Sequence, residues 1–185
     1  MEFSVIGGKT ASDIISRTRY EIVERVKETY LLHHADESVN PDSYFLRFPD
    51  KPNSRIIALP AYLGGQYSVA GLKWISSFPE NIDENLPRAS AALLLNDYTN
   101  GYPFACIEAS QISAARTAAS AVLAAEHLTG GRHIGRLAVV GAGVISRNIL
   151  EFFACLSGIG YDGIHASGNP RRASSSVPVQ GMRPK

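Results

Sequence analysis

The stretch RLAVVGAGVIS, Arg136 to Ser146, decides how the rest of the chain is read. Four apolar residues, Leu137 to Val140, run into glycines at 141 and 143. An apolar-periodic segment with Ile149, Leu150, Phe152 and Phe153 follows. That pattern predicts strand, tight turn, helix. Glycine at the first two motif positions lets the backbone turn sharply and approach a pyrophosphate, whose charge meets the free N–H groups and dipole of the helix N-terminus. GAGVIS matches G-x-G-x-x-G/A at its first two glycines and has Ser146 at the third small position. The strand before it and the helix after it are the context the motif needs.

A second strand is expected at GIHAS, which makes a parallel pair with the first. A doubly wound dinucleotide fold has about six such strands, and the sequence reaches Lys185 after two. An acidic residue for the ribose is expected at the end of the second strand, but Ser167 stands there and Asp162 falls in the preceding loop. Ser167 with Arg171 and Arg172 suits a 2′-phosphate, which points toward NADP, while NAD stays open. From Ser174 on, SSSVPVQGMRPK has no apolar period and is expected to be a disordered or aberrant tail.

Upstream the pattern differs. FSVIGG reads as a short strand. Thr10 and Asp13 stand at capping-box spacing, and Ile15, Ile22, Val23, Val26 and Tyr30 recur near helical period as far as His34, as one helix or two short ones. His33 and His34 are read as surface residues at a helix C-terminus. Between Tyr44 and Glu108 come five strand-like runs, YFLRF, RIIALPAY, YSVAGLKWIS, AALLLND and PFACIE, with NDYTNGYP as a hairpin joint. An alanine-rich helix is expected from Ser110 to Leu128, stopped by TGGR. The expected organisation is a mixed α+β substrate and dimerisation domain over 1–130, the start of a Rossmann-type parallel sheet over 131–173, and the tail over 174–185.

Composition bounds the partners. At 185 residues, 45% hydrophobic and 19% charged, the chain falls in the globular range. A net charge of +1 offers no basic face for nucleic acid or an anionic membrane. MEFSVIGGKT has no basic or apolar leader character, and nowhere do about eighteen apolar residues run unbroken. Cys106 and Cys155 lie in apolar runs without metal-ligand spacing and read as buried thiols of a reducing, cytoplasmic setting.

Three cations stand out. Lys73 sits in a strand between Leu72 and Trp74, and alternation leaves open whether it faces water or a site. Arg116 is the one charge between Glu108 and Glu126 on a small, apolar helix that reads as buried, and Arg47 alternates with apolar neighbours. Arginine forks suit carboxylates, so these cations converging on one cleft would bind an amino acid or a di-acid.

Taken together, GLKWIS, ASQISAARTAAS and AVVGAGVIS resemble the ornithine cyclodeaminase and mu-crystallin family of nicotinamide-dependent enzymes, over about residues 3–173. RIIALPAYLGG, GLKWISSFPENI and LPRASAALLLNDYTNGYPFACIEAS are most similar to the branch that makes 2,3-diaminopropionate for siderophores. The resemblance implies that Lys73 is the active-site lysine and that Arg47 and Arg116 bind the substrate carboxylates. It places Thr117 near the cofactor phosphates and Gly141, Gly143, Val144 and Ile145 in the pyrophosphate turn. It implies NAD or NADP as cofactor, a small amino-acid-derived substrate, no metal and a homodimer in the full-length parent.

Family members are about twice as long, and their acid/base aspartate lies in the second half of the nucleotide domain. The resemblance therefore implies the N-terminal half of an enzyme, without turnover as this short chain. The implied reaction is oxidation of N-(2-amino-2-carboxyethyl)-L-glutamate and hydrolysis of the imine to 2-oxoglutarate and 2,3-diaminopropionate. Ornithine cyclodeamination and a non-catalytic, mu-crystallin-like binding role are the alternatives.

Overall fold

The computed structural model describes residues 2–134, 137–141, 143–155 and the backbone of 164–167. The chain forms two compact units. The first comprises Met1–Ser16 with Glu28–Ser113, and the second Arg17–Lys27 with Ala114–Lys185. The expected tail, Asp162, Arg171 and Arg172 lie outside the described residues.

In the first unit, strands β1 (Ser4–Ile6), β2 (Ser38–Val39), β3 (Tyr44–Phe48), β4 (Lys51–Leu63), β5 (Val69–Ser77), β6 (Ala89–Asp97) and β7 (Pro103–Glu108) make one sheet among the described residues. Its order is β1-β7-β6-β5-β4-β2, with β3 also on β4. Every pairing is antiparallel except β1 on β7. The five strand-like runs become β3 to β7. The NDYTNGYP joint closes β6 onto β7 as expected: Gly101, at φ 75°, donates its N–H to the Asp97 carbonyl, and Asp97 Oδ1 accepts from the Thr99 and Asn100 N–H groups. Pro60, which has no N–H to donate, lies opposite Leu72 of β5 and falls in the gap along β4 between the stretch paired with β3 and the stretch paired with β2.

The helical stretch before Ala35 is two helices, α1 (Gly8–Arg17) and α2 (Arg19–His34). Thr10 is inside α1 and does not cap it: the helix starts at Gly8, with the Ala11 N–H donating to the Gly7 carbonyl. Asp13 instead takes an exposed i,i+4 contact from Lys9 at 2.9 Å. His33 and His34 are exposed at the end of α2, where His33 Nδ1 lies 2.8 Å from Ser38 Oγ. The second half of α2 is tied to the β4–β5 turn, because Glu28 accepts from the Tyr67 hydroxyl and from Gln66 Nε2.

α3 (Ser110–Thr129) joins the two units in sequence. It ends as its glycines predict. Gly130 and Gly131 have φ of 63° and 72°, the Gly131 N–H donates to the Glu126 carbonyl and the Gly130 N–H to that of His127, which is a Schellman cap. The second unit adds β8 (Leu137–Val140), α4 (Val144–Cys155) and β9 (Ile164–Ser167), with β8 and β9 paired in parallel. Its described core is helical: Val23 of α2, six residues of α3 from Ala114 to Leu123, and Phe152 and Phe153 of α4 are buried. Full burial of a side chain such as Phe152 contributes roughly 1.5–3 kcal/mol. Cys106 is half-buried, whereas Cys155, the last residue of α4, is exposed, contrary to the expected burial.

Candidate functional site

Alternation along β5 puts Val69, Gly71, Lys73, Ile75 and Ser77 on one face of the sheet and Leu72 and Trp74 on the other. Lys73 stands in a single cross-strand row: Leu59, Lys73, Leu93, Ile107 and Ile6 are aligned from β4 through β5, β6 and β7 to β1. Every other member of that row is aliphatic. The lysine stem is half-buried among them, and Nζ lies 3.5 Å from the Ser113 hydroxyl. Trp74, on the opposite face, is 43% exposed. Lys73 thus takes the face on which α3 begins.

The start of α3 follows directly from β7. Ala109 is fully buried and its N–H donates to the Ala91 carbonyl at 2.8 Å. Glu108 Oε1 then accepts from the Ser110 N–H at 2.9 Å, a carboxylate at a helix N-terminus where the dipole favours it. Ser113, whose N–H donates to the Ala109 carbonyl, comes next in the first full turn.

Arg47 is exposed on β3, with its guanidinium 5.3 Å from the Phe45 ring centroid. The register aligns Arg47 with Arg55 and Arg55 with Ser77, so Arg47 shares the sheet face of Lys73 but sits two strands away and four residues further along. The offset along the strand alone is roughly 13 Å. Neither Arg47 nor Arg55 pairs with a carboxylate among the described residues.

Arg116 and Thr117 belong to the part of α3 in the second unit. The burial expected for this helix is found on one side, at Ala114, Ala115, Ala118, Ala119, Val122 and Leu123. Arg116 is on the exposed side, and among the described residues its side chain meets no carboxylate. Thr117, one residue on, is half-buried.

Gly141 and Gly143 stand between β8 and α4. Gly141 has φ 110°, a conformation that side chains other than glycine's rarely adopt. A Cβ added to Gly143 would meet nothing within 4 Å, so the backbone there faces open space. Val144 and Ile145 begin α4 and are exposed, and the first turn carries no acidic residue to repel an anion. Ser146 Oγ would lie 3.3 Å from a Cβ on Gly141, so the third motif position packs back on the first. These features fit a dinucleotide. Ser167 ends β9 opposite Val140, with no acidic residue at that register position. Among the described residues no three His, Cys, Asp or Glu side chains gather as a metal site.

Sequence reasoning missed three groups. Ser113 and Glu108 were unmarked because their roles depend on where α3 starts over the sheet. Glu151, which accepts from Arg19 at 2.6 Å and from Arg147 at 2.9 Å, was missed because Arg19 lies 132 residues away.

Known proteins resemble this chain in both sequence and fold. The chain is 38% identical over 134 residues to an N-((2S)-2-amino-2-carboxyethyl)-L-glutamate dehydrogenase of Staphylococcus aureus, an alignment that covers 70% of this chain and 39% of that protein. An archaeal alanine dehydrogenase dimer with bound NAD superposes with a TM-score of 0.77 at 26% identity, over 92% of this chain and 57% of that one. The Thermococcus litoralis Δ1-pyrroline-2-carboxylate reductase, solved with NADH and L-proline, shares the fold with a TM-score of 0.77 at 24% identity, over 91% of this chain and 50% of that one. The chain therefore spans between about two fifths and three fifths of the length of these relatives. Residues 9–173 match the ornithine cyclodeaminase/mu-crystallin family, and the chain belongs to that family.

Proposed function

We propose that these residues carry the substrate lysine, the carboxylate arginines and the pyrophosphate turn of a nicotinamide-dependent oxidoreductase. Its substrate is N-(2-amino-2-carboxyethyl)-L-glutamate. The observation that carries this reading is the 38% identity over 134 residues to the staphylococcal dehydrogenase. Arg47 and Arg116, each without a carboxylate partner among the described residues, fit a substrate rich in carboxylates. Holding those carboxylates orients the glutamyl α-hydrogen, an effect of position. The nicotinamide, when bound, supplies the acceptor for that hydrogen as hydride.

The secondary amine becomes an imine and gives up its proton. Lys73 Nζ, emerging from an aliphatic row, stabilises or shuttles that charge. Water then adds to the imine carbon and the C–N bond breaks. One substrate, one oxidised cofactor and one water give 2-oxoglutarate, 2,3-diaminopropionate, reduced cofactor and a proton. Thr117, Gly141, Gly143, Val144 and Ile145 hold the cofactor phosphates in this reading, and NAD and NADP both suit the turn.

Three coarser features belong to the same proposal: a substrate and dimerisation domain followed by the nucleotide domain, a cytoplasmic setting, and a homodimer. The dimer is supported by the sheet face opposite Lys73, where Tyr44, Leu46 and Trp74 are exposed. No helix of the described residues is long and apolar enough to cross a membrane.

Kinetics of the intact gene product test the site. Lys73→Ala should lower kcat by about two orders of magnitude or more with cofactor affinity unchanged. Arg116→Ala should chiefly raise the substrate KM. Near-normal kinetics for both variants would remove these residues from the site.

A further inference from the structure

We infer that Ser113 is a positioning residue for Lys73. Its hydroxyl accepts one of the three ammonium N–H bonds, aims Nζ out of the sheet and favours the charged form. The inference rests on the reading of Lys73 as the substrate lysine, and its physical basis is the contact itself. Nζ and Oγ are 3.5 Å apart, at the outer edge of hydrogen-bond range. Such bonds around reacting groups are often long before a substrate is present and tighten in the complex.

The placement is built into the fold. Leu59, Leu93, Ile107 and Ile6 fill the row of Lys73 with aliphatic side chains and offer the ammonium no acceptor within it. The chain leaves this row at Ile107, passes Glu108 and the buried Ala109, and turns into α3. The backbone bond from Ala109 to Ala91 ties the helix start to β6, the strand next to Lys73. Glu108 Oε1 fixes the first turn through the Ser110 N–H. The first full turn then brings Ser113 to the ammonium, 40 residues away in sequence. A serine hydroxyl both accepts and donates, so it satisfies one N–H of a cation without adding a charge.

Amine labelling of the 185-residue protein tests this without needing turnover. Trinitrobenzenesulfonate modifies the neutral amine, and peptide mass spectrometry reads the pH midpoint for Lys73, with the exposed Lys9 and Lys51 as internal standards. An accepted hydrogen bond favours the ammonium, so Ser113→Ala should move the Lys73 midpoint down by about half a pH unit or more. Ser113→Thr, which keeps the hydroxyl, should hold it at the wild-type value. Lys9 and Lys51 should not move in either variant. An unmoved Lys73 midpoint in Ser113→Ala, or equal shifts in the alanine and threonine variants, would overturn the inference. Failure of the Lys73 assignment itself would appear separately, as normal turnover in Lys73→Ala.

Discussion

Arg19 Nη2 lies 2.6 Å from Glu151 Oε2, joining the first turn of α2 to α4 within the second unit. Both side chains are largely covered, at 19% and 24% exposure, while Arg147, which reaches the other Glu151 oxygen, is 54% exposed. Removing Arg19 leaves a covered carboxylate with one exposed partner. Arg19→Ala should therefore cost about 1–3 kcal/mol of stability, and Arg147→Ala no more than about 0.5 kcal/mol. Urea titration followed by circular dichroism reads both. Equal, small losses would mean that the pair is solvated and adds little.

Gly71 stands two residues before Lys73 on the same face, where β5 passes close to β6. A Cβ there would sit 2.7 Å from the Leu94 carbonyl oxygen, a backbone atom that cannot swing aside. Gly71→Ala should lower stability by about 1–3 kcal/mol, as overpacking does. The unfolding midpoint measures it, and an unchanged midpoint would show that the two strands separate freely at this point.

Gly143 separates stability from binding. Its missing side chain faces open space, so Gly143→Val should change stability by no more than about 0.5 kcal/mol. If the pyrophosphate occupies that space, the same substitution should weaken cofactor binding by about tenfold or more in the intact gene product, because the backbone can no longer approach it. Calorimetric titration with NAD and NADP reads the loss. Unchanged affinity would place the phosphates elsewhere.

Trp74 tests the proposed dimer. It is exposed on the sheet face that carries Tyr44 and Leu46, so Trp74→Glu should convert a dimer to a monomer in sedimentation velocity without unfolding the sheet. A dimer that survives the substitution would use another surface.

Much of this was legible in the residues themselves. The strands β3 to β7 are separated by proline, glycine and asparagine, and the paired glycines after Thr129 mark the end of α3 because the left-handed cap demands them. The face taken by Lys73 was not legible. Residues 69–77 are mostly apolar on both faces, so alternation carries no direction there, and only pairing with β4 and β6 sets it. Composition predicts the burial of the α3 alanines but overreaches at Arg116, since one stripe of small residues buries one side of a helix. Contacts such as Lys73 with Ser113 and Arg19 with Glu151 join residues far apart in sequence and follow from no local pattern. Thr10 shows the converse, because a capping-box spacing is outweighed when the helix begins two residues earlier.

Product analysis distinguishes the dehydrogenase from its rivals. The intact gene product is incubated with N-(2-amino-2-carboxyethyl)-L-glutamate or with ornithine, each with NAD and with NADP, and the products are separated by mass spectrometry. Reduced cofactor, 2-oxoglutarate and 2,3-diaminopropionate are expected in equal amounts from the first substrate and are lost in Lys73→Ala. Proline and ammonia from ornithine, or cofactor bound without turnover of either substrate, would contradict the dehydrogenase reading.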